Sequence, residues 1–406
     1  MKRSYAQYVM GKTILNVIDA EFAEMIFTNT KLITKGFVYG FLKQALGEGL
    51  LISTDKKWHT RRKMLTPAFH FNILGQFQEI FIEESQKFVK FMENAESNVL
   101  SLDKIIPKFT LNVVCETALG VKLDECLNGD EYRRSFSVFE ECFNRRANYP
   151  HLMIESVYKA IEEYKYLPAL KIAHDFSSDI IKKRREIFAQ ELEQAESQAA
   201  QDEQSFLKKR YAMLDTLLHA EKDGLIDHAG ICEEVDTFMF EGYDTTSMSL
   251  IFCLMNLSLH PEMQERCYQE IMDNIDCNLE SLDIGDLNKL KYLECFLKES
   301  MRLYPTVPII MREAVEETEL PNGIILPANS FITIHIFDLH RNPKHFKNPE
   351  EFDPERFLPE NSVGRHPYAF SPFSAGQRNC IGQKFAMHEM KTLLVHVIKN
   401  FKLLPM

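Results

Sequence analysis

Apolar residues recur with helical spacing over most of this chain, and with strand-like alternation over little of it. The 3.6-residue pattern predicts helices over residues 80–93, 176–194, 231–260, 262–275 and 292–304. Pro261 closes the third of these and opens the fourth, because its fixed φ and missing N–H suit a first helical turn. Residues 231–260 are apolar on nearly every side, as a helix through the middle of a large core would be. Residues 189–204 are rich in Gln, Glu and Ala and read as the solvated end of a helix followed by an exposed connection. Strand signals are short. One covers residues 8–17. Two more, 323–326 and 330–336, flank Pro327-Ala328-Asn329 and predict a hairpin. Residues 342–374 are loop-like and rich in Pro, Asn and Phe. The pattern predicts a mainly α fold with a minor β part. Neither a repeat nor a convincing linker interrupts it; the length suits one large domain or two, and the expectation is a single domain over residues 1–406.

Composition narrows the function. With 406 residues, 45% of them hydrophobic, the chain can bury a sizeable core. Its net charge of −12, from 47 basic and 59 acidic residues, argues against nucleic acid as a partner, since phosphate binding wants a basic surface. Nine scattered cysteines without a C-x-x-C pair fit a reduced, cytosol-facing compartment better than a disulfide scaffold. No apolar run approaches the ~18–20 residues of a membrane span. The N-terminus lacks the apolar core of a signal peptide. Taken alone, the chain reads as soluble.

The most informative chemistry lies in Phe373-Ser374-Ala375-Gly376-Gln377-Arg378-Asn379-Cys380-Ile381-Gly382. Zinc and iron–sulfur sites need several ligands close together, and here there is one cysteine. Glycines on either side let the main chain approach closely and aim amide N–H groups at a sulfur anion. Arg378 suits a carboxylate. A buried cysteine in an ordinary turn is the plain alternative for most single cysteines. Yet the run resembles the haem-binding loop of the cytochrome P-450 superfamily, F-x-x-G-x-R-x-C-x-G. Phe373, Gly376, Arg378, Cys380 and Gly382 match each fixed position.

The resemblance extends along the chain. Glu234-Val235-Asp236-Thr237-Phe238-Met239-Phe240-Glu241-Gly242-Tyr243-Asp244-Thr245-Thr246 is similar to the signature of P-450 family four, the fatty-acid ω-hydroxylase branch. Asp244 and Thr245 resemble the acid–alcohol pair that delivers protons during dioxygen cleavage. Gly242, unfavourable by about 1 kcal/mol in a helix interior, would help open the helix there. Glu241 lies one turn before Thr245. The matching glutamate in that branch often forms an ester with a haem methyl group. Tyr243 stands where most family-four members have histidine. Glu299 and Arg302, with Arg356 from Pro354-Glu355-Arg356-Phe357, resemble the E-x-x-R helix and P-E-R-F loop, which form a buried ionic cluster. Trp58, the only tryptophan, and Arg62 resemble propionate ligands on one helical face. Arg312 resembles another, although its loose local pattern also suits a surface arginine. Lys56, Lys57, Arg61 and Lys63, with Lys384, form a basic cluster that suits either an acidic redox partner or an ordinary solvated face. The histidines suggest no rival metal site.

The resemblance implies a P-450 fold with haem between the long central helix and the cysteine loop. It implies a haem-thiolate monooxygenase that takes haem b as cofactor, ester-linked at Glu241 if the branch holds. Cys380 would be the metal ligand, Asp244 and Thr245 catalytic, and Trp58, Arg62, Glu241, Arg312, Phe373, Arg378 and Gly382 cofactor-binding. Electrons would come from NADPH through a separate flavoprotein reductase, or cytochrome b5, because no G-x-G-x-x-G run is present. The substrate would be lipophilic, a fatty acid, related lipid or xenobiotic, and the location the cytosolic face of the endoplasmic reticulum membrane. Set against such proteins, the chain lacks the N-terminal anchor, first helix and closing C-terminal β-hairpin. That leaves two alternatives: a haem-binding fragment without turnover, and a haem-thiolate isomerase that needs no electron donor. Asp244 and Thr245 argue against the isomerase.

Overall fold

The structure is a computed structural model that describes residues 4–9, 11–123, 129–198 and 212–406. Six strands lie among the described residues: β1 (Tyr5–Val9), β2 (Lys12–Val17), β3 (Ile309–Ala314), β4 (Thr318–Glu319), β5 (Ile325–Leu326) and β6 (Ser330–His335). The strand-like stretch at 8–17 is split in two. Gly11 has φ +80°, a conformation glycine adopts without a Cβ penalty, and β1 folds back antiparallel on β2. β2 then pairs in parallel with β6, with Leu15 opposite Ile332 and Val17 opposite Ile334, while β3 pairs antiparallel on the other side of β6. The order is β1-β2-β6-β3. β6 takes the inner position because Ser330-Phe331-Ile332-Thr333-Ile334 is a continuous buried run suited to a strand covered on both faces.

The hairpin expected between 323–326 and 330–336 does not form. β5 pairs with β4 instead, around Asn322 and Gly323. Gly323 has φ +79°, and its N–H donates to Leu320 O at 2.8 Å. An Asn-Gly pair closes a tight hairpin more readily than Pro-Ala-Asn does. Asn329, at φ +60°, donates its N–H to Ala314 O and delivers β6 to β3.

The expected helices are present, several of them longer than their patterns. They are Phe71–Glu93, Glu163–Gln198, His228–Leu259, Pro261–Asn274 and Lys291–Leu303, with Pro261 at the first turn of its helix. Residues 199–204 of the expected exposed connection lie outside the described residues. Further helices, among them Ala20–Thr28, Leu102–Ala118, Gly129–Asn148, Met213–Lys222 and Gln383–Asn400, lie outside the expected set.

The chain divides into two compact units. One comprises Met1–Gly36, Leu74–Thr110 and Gly242–Met406. It holds both sheets and a core in which Val17, Ile26, Ile332, Ile334 and Leu339 pack together. The other comprises Phe37–Ile73 and Leu111–Glu241. Aromatic contacts organise it: Tyr132 lies 4.7 Å from Phe176, and Phe136 and Phe139 lie 5.2 and 5.4 Å from Phe240.

Candidate functional site

The cysteine loop is shaped by its own backbone. Cys380 N–H donates to Phe373 O at 2.9 Å, closing the loop over the turn Gly376–Arg378. Gly376 has φ +68°, and a Cβ there would lie 1.8 Å from Phe27 O, at the end of helix Ala20–Thr28. Only glycine fits a backbone that close. Gly382 opens helix Gln383–Asn400, and a Cβ on it would stand 3.9 Å from Cys380 Sγ. Cys380 is exposed. By contrast, burial pushes the Cys253 and Cys295 thiols up to about 12 and about 11, so they stay protonated and make poor ligands. None of the eight described cysteines forms a disulfide.

Two arginines approach the loop's unit from different elements and meet one segment. Arg378 Nε donates to Ile33 O at 3.0 Å. Arg312, on β3, is only 3% exposed, and it bridges Lys35 in antiparallel fashion. Thr34 O accepts from Glu313 N–H at 2.9 Å, and Gly36 N–H donates to Met311 O. Residues 34–36 therefore run along β3, and the adjoining Ile33 holds the loop arginine. Arg312 is not a surface residue.

The ionic cluster forms as expected. Glu299 and Arg302 are fully buried and Arg356 nearly so. Arg302 donates to both Glu299 oxygens at 2.7 and 2.8 Å, and Arg356 Nε donates to Oε1 at 3.0 Å. The remaining guanidinium N–H groups reach main-chain carbonyls of His340, Lys347, Pro349 and Glu351. Charge is thus spent on fixing the irregular segment that leads into the cysteine loop. His340 extends the same scaffold. Burial lowers its pKa to about 3, and its neutral Nε2 accepts from Ser371 N–H at 2.9 Å. Beyond the loop, Glu389 is fully buried and neither carboxylate oxygen has a hydrogen-bond partner among the described residues. Burial drives it well above the carboxylate range, so it adds a neutral acid, not an anion.

Glu241, Asp244 and Thr245 are half-buried, and Tyr243 between them is 5% exposed. Helix His228–Leu259 runs through Gly242 as uninterrupted α-helix, so the opening expected at that glycine is absent. The Tyr243 carbonyl accepts from Ser247 Oγ at 2.7 Å. Ser247 Oγ in turn lies 2.6 Å from Thr110 Oγ1.

In the other unit, helix Asp55–Leu65 carries Trp58, 3% exposed, and Arg62, half-buried. The basic cluster on this helix is smaller on the surface than its sequence suggests. Arg61 is 8% exposed, and its Nη1 donates to Gly230 O at 3.1 Å. Lys57 donates to both oxygens of Glu233, at 2.8 and 3.1 Å. Lys56 and Lys63 remain exposed. Sequence reasoning also passed over Glu234, which accepts from Leu50 N–H at 3.0 Å and sits 3.7 Å from Arg61.

One accessible thiol on a rigid, glycine-framed loop, with buried guanidiniums in its own unit, fits an iron porphyrin: sulfur for the metal and cations for carboxylates. Among the described residues no group of three or more His, Cys, Asp or Glu is placed to hold a bare metal ion. The donor set and the mainly α fold define a haem-thiolate protein. The chain belongs to the cytochrome P450 family, whose model matches residues 3–406. It is 60% identical over 406 residues to cytochrome P450 4p1 of Drosophila melanogaster, covering 100% of this chain and 79% of that protein. Probable cytochrome P450 4ac1 of the same organism is 52% identical, covering 99% of this chain and 78% of its own length. Human cytochrome P450 4V2 is 41% identical over 389 residues, 94% of this chain and 73% of that protein. These relatives are members of P450 family four. The protein is a haem-thiolate monooxygenase, and haem iron is its cofactor. Among the described residues no helix is long and apolar enough to cross a membrane.

Proposed function

We propose that this protein hydroxylates a C–H bond of a fatty acid or related lipid, drawing electrons from NADPH through a separate flavoprotein reductase, with cytochrome b5 as a second donor. It does so at the cytosolic face of the endoplasmic reticulum membrane. The observation that carries the reading is the cysteine loop: Cys380 held by Phe373 O, with Gly376 packed on Phe27 O and Arg378 fixed to Ile33 O. Haem iron, when bound, supplies the activation of dioxygen.

Cys380 is the thiolate ligand, and Gly382 leaves room beside its sulfur. Arg312 and Arg378, with Trp58 and Arg62, bind the propionate carboxylates, and Phe373 packs at the loop's entry. Thr245 positions a proton with its hydroxyl, and Asp244 replenishes it from solvent, since a half-buried carboxyl reaches both environments. Glu241 is placed one turn before Thr245 for an ester to the haem edge.

Reconstitution with reductase, NADPH and fatty acids tests the activity. Hydroxylated product and a strongly red-shifted band of the reduced, carbon-monoxide-bound protein are expected, and Cys380→Ser abolishes that band. Haem-loaded, folded protein that never forms product with reductase present overturns the reading. Acid denaturation with mass spectrometry decides the ester: haem released freely removes Glu241 from that role.

A further inference from the structure

The unit that carries Trp58 also contains an open surface cleft of about 570 Å³, lined by Phe37, Phe41 and Met153 and by the cations Lys43, Arg146 and Lys159. Two acids, Glu155 and Glu163, share the lining. Pockets of this size take small organic ligands, and a mixed wall of rings and cations suits an amphipathic anion. Arg146, in the last turn of helix Gly129–Asn148, decides which anion. Its guanidinium lies 4.3 Å from the centre of the Phe41 ring and 4.0 Å from that of Tyr158. The residue is 8% exposed. Its Nη2 donates to Glu155, which stands at the start of helix Glu155–Ile161, while Nε is buried and finds no hydrogen-bond partner among the described residues. An unmade bond on a buried cation is costly, and a carboxylate presents the planar pair of oxygens that a guanidinium edge accommodates. Tyr158 offers no competing anion: burial pushes its phenol up to about 12.

We propose that Arg146 receives the carboxylate of a long-chain acid whose hydrocarbon lies against Phe37, Phe41 and Met153, and that Glu155 competes for the same guanidinium. This rests on the fatty-acid reading of the substrate and names the group by which the protein tells an acid from its uncharged analogue. The aromatic faces hold the guanidinium in place by cation–π attraction, so little ordering is needed when the ligand arrives. Lys43 and Lys159 are already engaged, with Glu48 at 2.6 Å and Glu155 at 3.5 Å, and serve as a diffuse positive rim.

The test is calorimetric titration of the haem-loaded protein with dodecanoate and with dodecan-1-ol, each below its aggregation concentration. Arg146→Gln is expected to weaken dodecanoate about 10- to 100-fold while moving dodecanol less than about twofold. Glu155→Gln is expected to tighten dodecanoate several-fold, an effect that a merely structural clamp between the two helices would not give. Glu155 is largely exposed, so this variant remains informative if Arg146→Gln does not fold. Equal losses for both ligands in Arg146→Gln, or unchanged or weaker dodecanoate binding in Glu155→Gln, overturn the proposal. Dodecanoate that binds in the expected pattern but yields no hydroxylated product with reductase sinks the fatty-acid reading and leaves this subsite standing. Product formed by a protein whose Arg146→Gln variant binds both ligands like the parent does the reverse.

Discussion

Glu299 and Glu234 are each fully buried on a helix, near an arginine, in different units of the molecule. Glu299 accepts from two arginines and from Asp353 N–H at 2.8 Å, so both oxygens are occupied by donors. Among the described residues Glu234 accepts only from Leu50 N–H. Arg61 stays 3.7 Å away, and Oε1 finds no hydrogen-bond partner among them. Burial therefore dominates at Glu234 and raises its pKa to about 7. Burial alone does not fix the charge of a carboxyl; the count of donors does. The first region uses an ion pair as a frame for the loop that holds the cofactor. The second keeps an acid that titrates near neutral pH.

The largest break in this comparison comes from Glu299→Gln, which strands two buried guanidiniums. The expected loss is about 3–5 kcal/mol with failure to retain haem, read by thermal unfolding and by the pigment that elutes with the protein. Next is Gly376→Ala, further along the same frame. A left-handed backbone costs a non-glycine residue about 1–3 kcal/mol even before the contact with Phe27 O, and haem content is expected to fall while far-ultraviolet circular dichroism is kept. Glu234→Gln carries the opposite sign. A folded-state pKa of about 7 against 4.5 unfolded means that stability is highest below pH 4.5 and declines as pH rises through about 7. The variant should therefore gain about 1–3 kcal/mol at pH 8, with the gain fading toward pH 5; a thermal midpoint that shifts equally at both pH values contradicts this assignment. The smallest effect is expected from Lys57→Ala. Its pair with Glu233 is partly exposed, so unfolding should shift by less than about 1 kcal/mol.

The parts of the fold that were readable from sequence are those whose signal is local. The helix at residues 292–304 and the Glu299–Arg302 spacing need only a 3.6-residue period, and the cysteine loop needs only its own ten residues. What was hidden depends on distant partners. Helix Leu102–Ala118 carries Pro107, which masks its pattern. Helix Gly129–Asn148 has eight charged residues spread over its first turn, middle and last turn that dilute its apolar face, although Phe136 and Phe139 pack inward. The pairing of β6 with β2 and β3 gives no local sign and was misread as a hairpin. Arg61 looked like part of a basic surface because nothing nearby in sequence reveals that Gly230 O will meet it. Glu389 was passed over for the same reason: a single acid in an apolar helix is legible, but the lack of a donor around it is not.

The pairing of β2 with β6 bears on how this protein is made. Asn16 and His335, bonded side chain to side chain across that pairing, are separated by 319 residues of chain. The first hairpin leaves the ribosome long before the strand that must lie beside it exists, and synthesis at ~5–20 residues per second makes that wait last tens of seconds. Meanwhile β2 presents an open hydrogen-bonding edge, a template for stray pairing with other chains. Arg378 and Ile33 are 345 residues apart, so the cofactor loop, like that edge, waits for the end of the chain before it takes its final shape. Pigment capture is thus a late event in the life of each nascent molecule, and cells short of chaperones should accumulate colourless, aggregated chains before they show any loss of synthesis.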